Sequence, residues 1–237
     1  MTPISEVAGL LERLHCYQQG AGAERLVPVR DFFGRLNPKL PEFRAEAQRV
    51  EIETSPQFNV FRILRLAHKE VQAHTPFLGE LLNPKGTHGQ GFVFLRGFLS
   101  MAQQRGLMLP NGSIESFRWH VGIEQAAAPF GNIDILVRCP ALRFLLVIEN
   151  KIWASEQPDQ LRRYADWMAT QHKSFDLRQL VFLTPTGRTS NTIGAGSYTC
   201  LSYHDDIRLW LREALAKVKS PTVRETVQQY VQIVEAC

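Results

Sequence analysis

Asp134, Glu149 and Lys151 stand at the ends of two otherwise apolar runs, Gly131-Asn-Ile-Asp-Ile-Leu-Val-Arg138 and Phe144-Leu-Leu-Val-Ile-Glu-Asn-Lys151. An ionisable side chain that closes an apolar strand is costly to bury without a use. If the two runs form a hairpin centred between Ala141 and Leu142, Asp134 and Glu149 face one another, about 5 Å apart at the base of their side chains. Strand side chains alternate, so Lys151 shares the face of Glu149 and Asn150 points to the other face. Two carboxylates this close resist ionising together unless a cation lies between them. A divalent ion meets that need, and Mg²⁺ binds through one or two carboxylates while keeping positions for water and phosphate. An ammonium beside such an ion suits metal-assisted hydrolysis of a phosphodiester. The competing reading is a surface cluster of ion pairs, worth little to the fold.

The elements around these runs must hold them in place. Val7, Leu10, Leu11 and Leu14 recur at helical spacing between Ile4 and Gln19. The stretch from Gly20 to Thr54 is broken by Pro28, Pro38 and Pro41, with a short helix expected at Asp31 to Leu36. Val60, Ile63, Leu64, Ala67 and Val71 predict a long helix with Ser55 as N-cap, divided or kinked at Pro76. Asn83-Pro-Lys-Gly86 reads as a turn, and Phe92, Leu95, Phe98 and Leu99 as a helix ending near Gly106. The period then changes to two: Ser116–Gln125, Gly131–Arg138 and Arg143–Ile148 read as three strands, with Pro140 in the second connection. A helix over Glu156–Gln171, strands at Leu180–Leu183 and Tyr198–Tyr203, and helices at Ile207–Val218 and Val223–Val234 complete the pattern. Antiparallel strands followed by strand, helix, strand predict an α/β fold whose mixed sheet is flanked by helices.

Composition narrows the function classes. The 237 residues, 44% apolar and 21% charged, describe an ordinary globular chain and exclude wholesale disorder. The longest strongly apolar run, Phe144 to Ile148, is far short of the roughly 20 residues of a membrane helix. No basic and apolar leader opens the chain, so the expected location is cytoplasmic, and Cys16, Cys139, Cys200 and Cys237 are expected as free thiols. A net charge of +4 is compatible with a polyanionic partner without requiring one.

Asp134 followed by Glu149-Asn150-Lys151 resembles the motif of the PD-(D/E)XK nuclease superfamily, an acid and then acid, variable residue and lysine on the next strand. Phe58-Asn-Val-Phe-Arg-Ile-Leu64, Glu70, His74, Leu81-Leu-Asn-Pro-Lys-Gly-Thr-His-Gly89 and Phe94-Leu-Arg-Gly-Phe-Leu99 are similar to one prokaryotic branch of it. The likeness spans roughly residues 58 to 203 and departs from the usual pattern at Ile133, where the family often has proline.

The resemblance implies a restriction-endonuclease-like mixed sheet over 58–237, preceded by a helical extension over 1–57. It implies Mg²⁺ or Mn²⁺ held by Asp134, Glu149 and the backbone carbonyl of Asn150, with Lys151 activating water. A further acid often comes from an early helix, and Glu70 matches that position, while Glu124 on the strand before Asp134 competes for the role. Gln160 and Tyr164, four apart on one helix face, are similar to the site-lining glutamine and tyrosine of RecB-type members. The expected activity is Mg²⁺-dependent hydrolysis of DNA, with RNA not excluded. The alternative is a module on the same scaffold that binds nucleic acid or protein without turnover. Arg162, Arg163 and Arg188, with Lys173 and Arg178, are candidates for gripping a phosphate backbone. His74 and His88 are expected to be structural, and homodimerisation is compatible with this reading.

Overall fold

The computed structural model describes residues 34, 37–55, 57–66, 69–152, 157–194 and 196–235, without the side chains of Thr54 and Glu70. The chain divides into two units, Met1–Phe58 and Asn59–Cys237. In the first, helix α1 (Leu40–Thr54) begins with Pro41 in its first turn and ends where Ser55 turns left-handed at φ 41°. The expected helix Ile4–Gln19 lies outside the described residues, as does nearly all of Asp31–Leu36. Pro41 opens α1 rather than breaking the segment, because a proline in the first helical turn removes no intrahelical bond.

The second unit carries a five-stranded sheet in sequential order: β1 (His120–Ala126), β2 (Asn132–Cys139), β3 (Phe144–Asn150), β4 (Leu177–Thr184) and β5 (Thr199–Ser202). The first two pairings are antiparallel and the last two parallel. Its helices are α2 (Val60–Ile63), α3 (Thr75–Leu82), α4 (Val93–Gln104), α5 (Gln160–Thr170), α6 (Arg208–Leu215) and α7 (Pro221–Val234). Helix α5 supplies the crossover that parallel β3 and β4 need. The expected mixed α/β sheet flanked by helices is therefore present.

Every residue of β3 is buried, which explains why Phe144–Ile148 reads as a continuous apolar run rather than an alternating one. Alternation instead divides its side chains between two cores. Phe144, Leu146 and Ile148 join Leu78, Phe94, Phe98 and Trp210 on one face of the sheet. Leu145 and Val147 join Leu161, Tyr164 and Met168 of α5 on the other.

The long helix expected after Pro56 is not continuous. Asn59 caps α2 by accepting from the N–H groups of Phe61 and Arg62 at 3.0 and 3.2 Å. Its amide also donates to the Gln229 carbonyl of α7 at 2.8 Å. The chain turns at Arg65, φ 55°, and resumes as one π-helical turn, Glu70–His74, leading into α3. Val60, Ile63, Leu64 and Val71, the apolar stripe of the expected helix, are exposed, while Phe61 is buried. Pro76 sits in the first turn of α3, so the division expected there falls just before it.

Candidate active site

The β2–β3 register pairs Ile135 with Ile148 and Cys139 with Phe144, with a short helical turn over Pro140–Leu142 and Arg143 at φ 47° closing the hairpin. Continuing that register sets Asp134 against Glu149. Their interaction is visible at the backbone, where the N–H of Asn150 donates to Asp134 Oδ2 at 2.7 Å. Asp134 is 8% exposed and Glu149 0%, both on the face covered by α5. Lys151 follows on that face, its Nζ 2.7 Å from Glu149 Oε1.

Apart from Lys151, no group donates a hydrogen bond to either Glu149 carboxylate oxygen among the described residues. Tyr164 is a neighbouring candidate. Its hydroxyl donates to the Asn132 carbonyl and accepts from Gln160 Nε2 at 3.1 Å, so its one proton is committed elsewhere. Gln160 and Tyr164 are buried together on α5, as their spacing by four residues predicts.

Electrostatics follow from this arrangement. Burial, reinforced by the charge on Asp134, pushes Glu149 up to about 8 against the opposing pull of Lys151. Burial raises Asp134 to about 6, with Glu124 adding to the rise while the Asn150 N–H and Lys151 oppose it. The Tyr164 phenol is held well above its usual range by burial and by Glu149. Two carboxylates beside one ammonium thus favour holding a proton at neutral pH.

Hard oxygen donors with unsatisfied lone pairs fit a small divalent cation such as Mg²⁺ or Mn²⁺. Asp134, Glu149 and the Asn150 carbonyl are the oxygen groups at this strand end that could hold one. Among the described residues, no three His, Cys, Asp or Glu side chains converge as a ready-made metal cluster. A cation here would therefore complete its shell with the backbone carbonyl, water or substrate oxygen.

Glu124 belongs to this neighbourhood. It lies on β1 between Ile123 and Gln125, whose partners Ile135 and Ile133 flank Asp134. Its φ of 46° is a strained value for a residue with a Cβ, and its Oε1 is buried without a hydrogen-bond partner. Burial pushes its pKa above the usual carboxylate range, against the opposing pull of Lys151. Glu70 opens the π-helical turn before α3, and its side chain lies outside the described atoms.

The expected phosphate-gripping residues separate into different environments. Arg188 is exposed and stacks over Phe182 with its guanidinium carbon 5.1 Å from the ring centre. Phe182 pairs with Glu149 across the parallel ladder, which brings Arg188 to the side of the acids. Arg162 is exposed on α5. Arg163 is engaged with the protein itself, donating to the Phe130 carbonyl at 3.1 Å and to the Pro158 carbonyl. Arg178 likewise donates to the Phe175 carbonyl at 2.5 Å, and Lys173 is exposed.

Both histidines are embedded in structure. His88 Nε2 lies 2.9 Å from the Asn83 carbonyl, and its Nδ1 accepts from the Gln90 N–H at 3.0 Å. His74 Nδ1 lies 2.8 Å from the Tyr230 hydroxyl.

Residues 58–232 match the family model of a PD-(D/E)XK nuclease superfamily family, and the chain belongs to that superfamily. No curated protein and no solved structure matches the chain. Membership makes the protein nuclease-like and its substrate class nucleic acid. Among the described residues, no helix is long and apolar enough to cross a membrane.

Proposed function

We propose that this protein is a Mg²⁺- or Mn²⁺-dependent nuclease that hydrolyses DNA phosphodiester bonds at Asp134, Glu149 and Lys151. The observation that carries this reading is the fully buried Glu149 carboxylate, set against Asp134 and Lys151, with no neutral hydrogen-bond donor satisfying its oxygens among the described residues. A structural ion pair would instead be expected to satisfy its remaining lone pairs.

Asp134, Glu149 and the Asn150 carbonyl hold the divalent ion. When bound, that ion supplies charge stabilisation to the phosphoryl oxygens and acidifies water. Lys151, 11% exposed at its side chain, holds the attacking water and offsets negative charge as water adds to phosphorus and the bridging P–O bond breaks. Gln160 and Tyr164 wall the acids from the apolar core beneath α5. Arg188 and Arg162 grip the phosphate backbone, a contact that positions the strand without reading its sequence. Glu70 or Glu124 supplies the additional acid.

The test is digestion of plasmid DNA, oligonucleotides and RNA with Mg²⁺, with Mn²⁺ and with chelator. DNA cleavage that requires the metal and falls by at least about 10²-fold in Lys151→Ala supports the assignment. A folded Lys151→Ala protein that cuts as fast as the parent overturns it.

A further inference from the structure

We propose that Asn150 is a positioning residue whose side chain, gripped from the opposite face of the sheet by Thr75 and Tyr203, fixes the metal-binding end of β3 against the helix led by Glu70. This inference rests on the metal-dependent reading of the site.

Six of the seven β3 positions are buried as Phe, Leu, Leu, Val, Ile and the acid Glu149, and the seventh is an amide that is 1% exposed. Unlike Glu149, Asn150 points away from the acids, to the face of Leu146 and Ile148. An amide buried there costs about 1–3 kcal/mol if unpartnered, so an apolar residue would be the simpler choice for stability. Asn150 is instead partnered on both sides. Its Nδ2 donates to Thr75 Oγ1 at 3.1 Å, and the Tyr203 hydroxyl donates to its Oδ1 at 2.8 Å.

The backbone of the same residue is held from the other side. Its N–H donates to Asp134 Oδ2 at 2.7 Å, and the next N–H, of Lys151, donates to the Leu183 carbonyl at 2.8 Å. The residue whose carbonyl would hold the cation is therefore fixed at its side chain, at its own N–H and at the N–H that follows.

The two clamping residues come from elements that matter to the site. Thr75 is the first residue of α3, continuous with the π-helical turn that Glu70 opens. Tyr203 follows β5 directly, is 0% exposed, and meets the His74 ring edge-on at 5.7 Å. His74 in turn lies against the Tyr230 hydroxyl of α7. The amide thus couples the strand carrying Glu149 and Lys151 to the segment carrying Glu70, through groups on the face of the sheet opposite the acids. Partners of this kind, which orient ligands rather than bind the metal, typically govern metal affinity by 10–100-fold.

The experiment is calorimetric titration of the full chain with Mn²⁺, at a temperature where circular dichroism shows each variant folded. Tyr203→Phe removes one hydroxyl and keeps the ring, and Thr75→Val removes the other. Each is expected to weaken Mn²⁺ binding about 10-fold or more, while Thr75→Ser, which keeps the hydroxyl, binds as the parent does. Arg143→Ala, which removes the Asp176 ion pair at the opposite end of β3, is the control and leaves Mn²⁺ affinity unchanged. Parent-like Mn²⁺ affinity in both Tyr203→Phe and Thr75→Val, whatever their melting temperatures, overturns the positioning role and leaves the nuclease reading standing. Absence of Mn²⁺ binding by the parent overturns both.

Discussion

Replacing Glu149 with glutamine is expected to stabilise the metal-free protein at alkaline pH, although it removes a buried ion-pair partner. Burial and Asp134 raise this carboxyl from 4.5 to about 8, so the folded state holds its proton more tightly than the unfolded chain does. Below about pH 4.5 both states are protonated and the residue contributes no penalty. As pH rises toward 8 the unfolded chain loses the proton while the folded state keeps it, and stability falls until the folded carboxyl also ionises.

Each tenfold change in proton affinity is worth about 1.4 kcal/mol, which sets a ceiling near 5 kcal/mol for the full displacement. Glutamine abolishes this penalty but deprives Lys151 of its 2.7 Å contact, which returns part of the gain. A net stabilisation of roughly 2–4 kcal/mol at pH 8.5 relative to pH 5 is expected, judged against the several kcal/mol scale of buried ion-pair replacements. Urea denaturation of parent and Glu149→Gln in chelator, at both pH values, measures it directly. Saturating Mg²⁺ is expected to close the gap by stabilising only the parent. A Glu149→Gln protein that is equally or more destabilised at pH 8.5 than at pH 5 refutes the reasoning.

Arg188→Ala is expected to raise the KM for DNA with little change in kcat, and to lower the salt dependence of binding by about one ion, as fluorescence anisotropy across a salt series would report. Asn59→Ala loses two cap hydrogen bonds and the link to α7, and is expected to cost about 2 kcal/mol in chemical denaturation without altering cleavage at a temperature where it is folded. Tyr164→Phe leaves the Asn132 carbonyl without its hydroxyl donor and removes the acceptor of Gln160, and is expected to lower stability by about 1–3 kcal/mol in the same assay.

The central hairpin is legible because two independent signals agree. The apolar runs fix which residues are strands, and the Pro140 turn fixes their register, so the opposition of Asp134 and Glu149 follows from spacing alone. The pairing of Gln160 with Tyr164 is legible for the same reason, being set by one helical turn. The region from Ser55 to His74 is not. Its apolar residues have helical spacing, yet Arg65 adopts a left-handed conformation and Asn59 caps a helix of only one turn, choices made by contacts with α7 170 residues away. Thr75 and Tyr203 carry no motif, and their convergence on Asn150 exists only once the sheet brings distant segments together. Arg163 illustrates the converse: its charge suggests a phosphate contact, while its position beside the 127–131 turn directs it to local carbonyls.

The most direct test of the account is calorimetric titration of the purified chain and of Asp134→Asn with Mn²⁺ at pH 8. The parent is expected to give a saturable binding signal that disappears in the folded variant. An equal signal in both, or none in the parent, would contradict the claim that a divalent cation is held between these two acids.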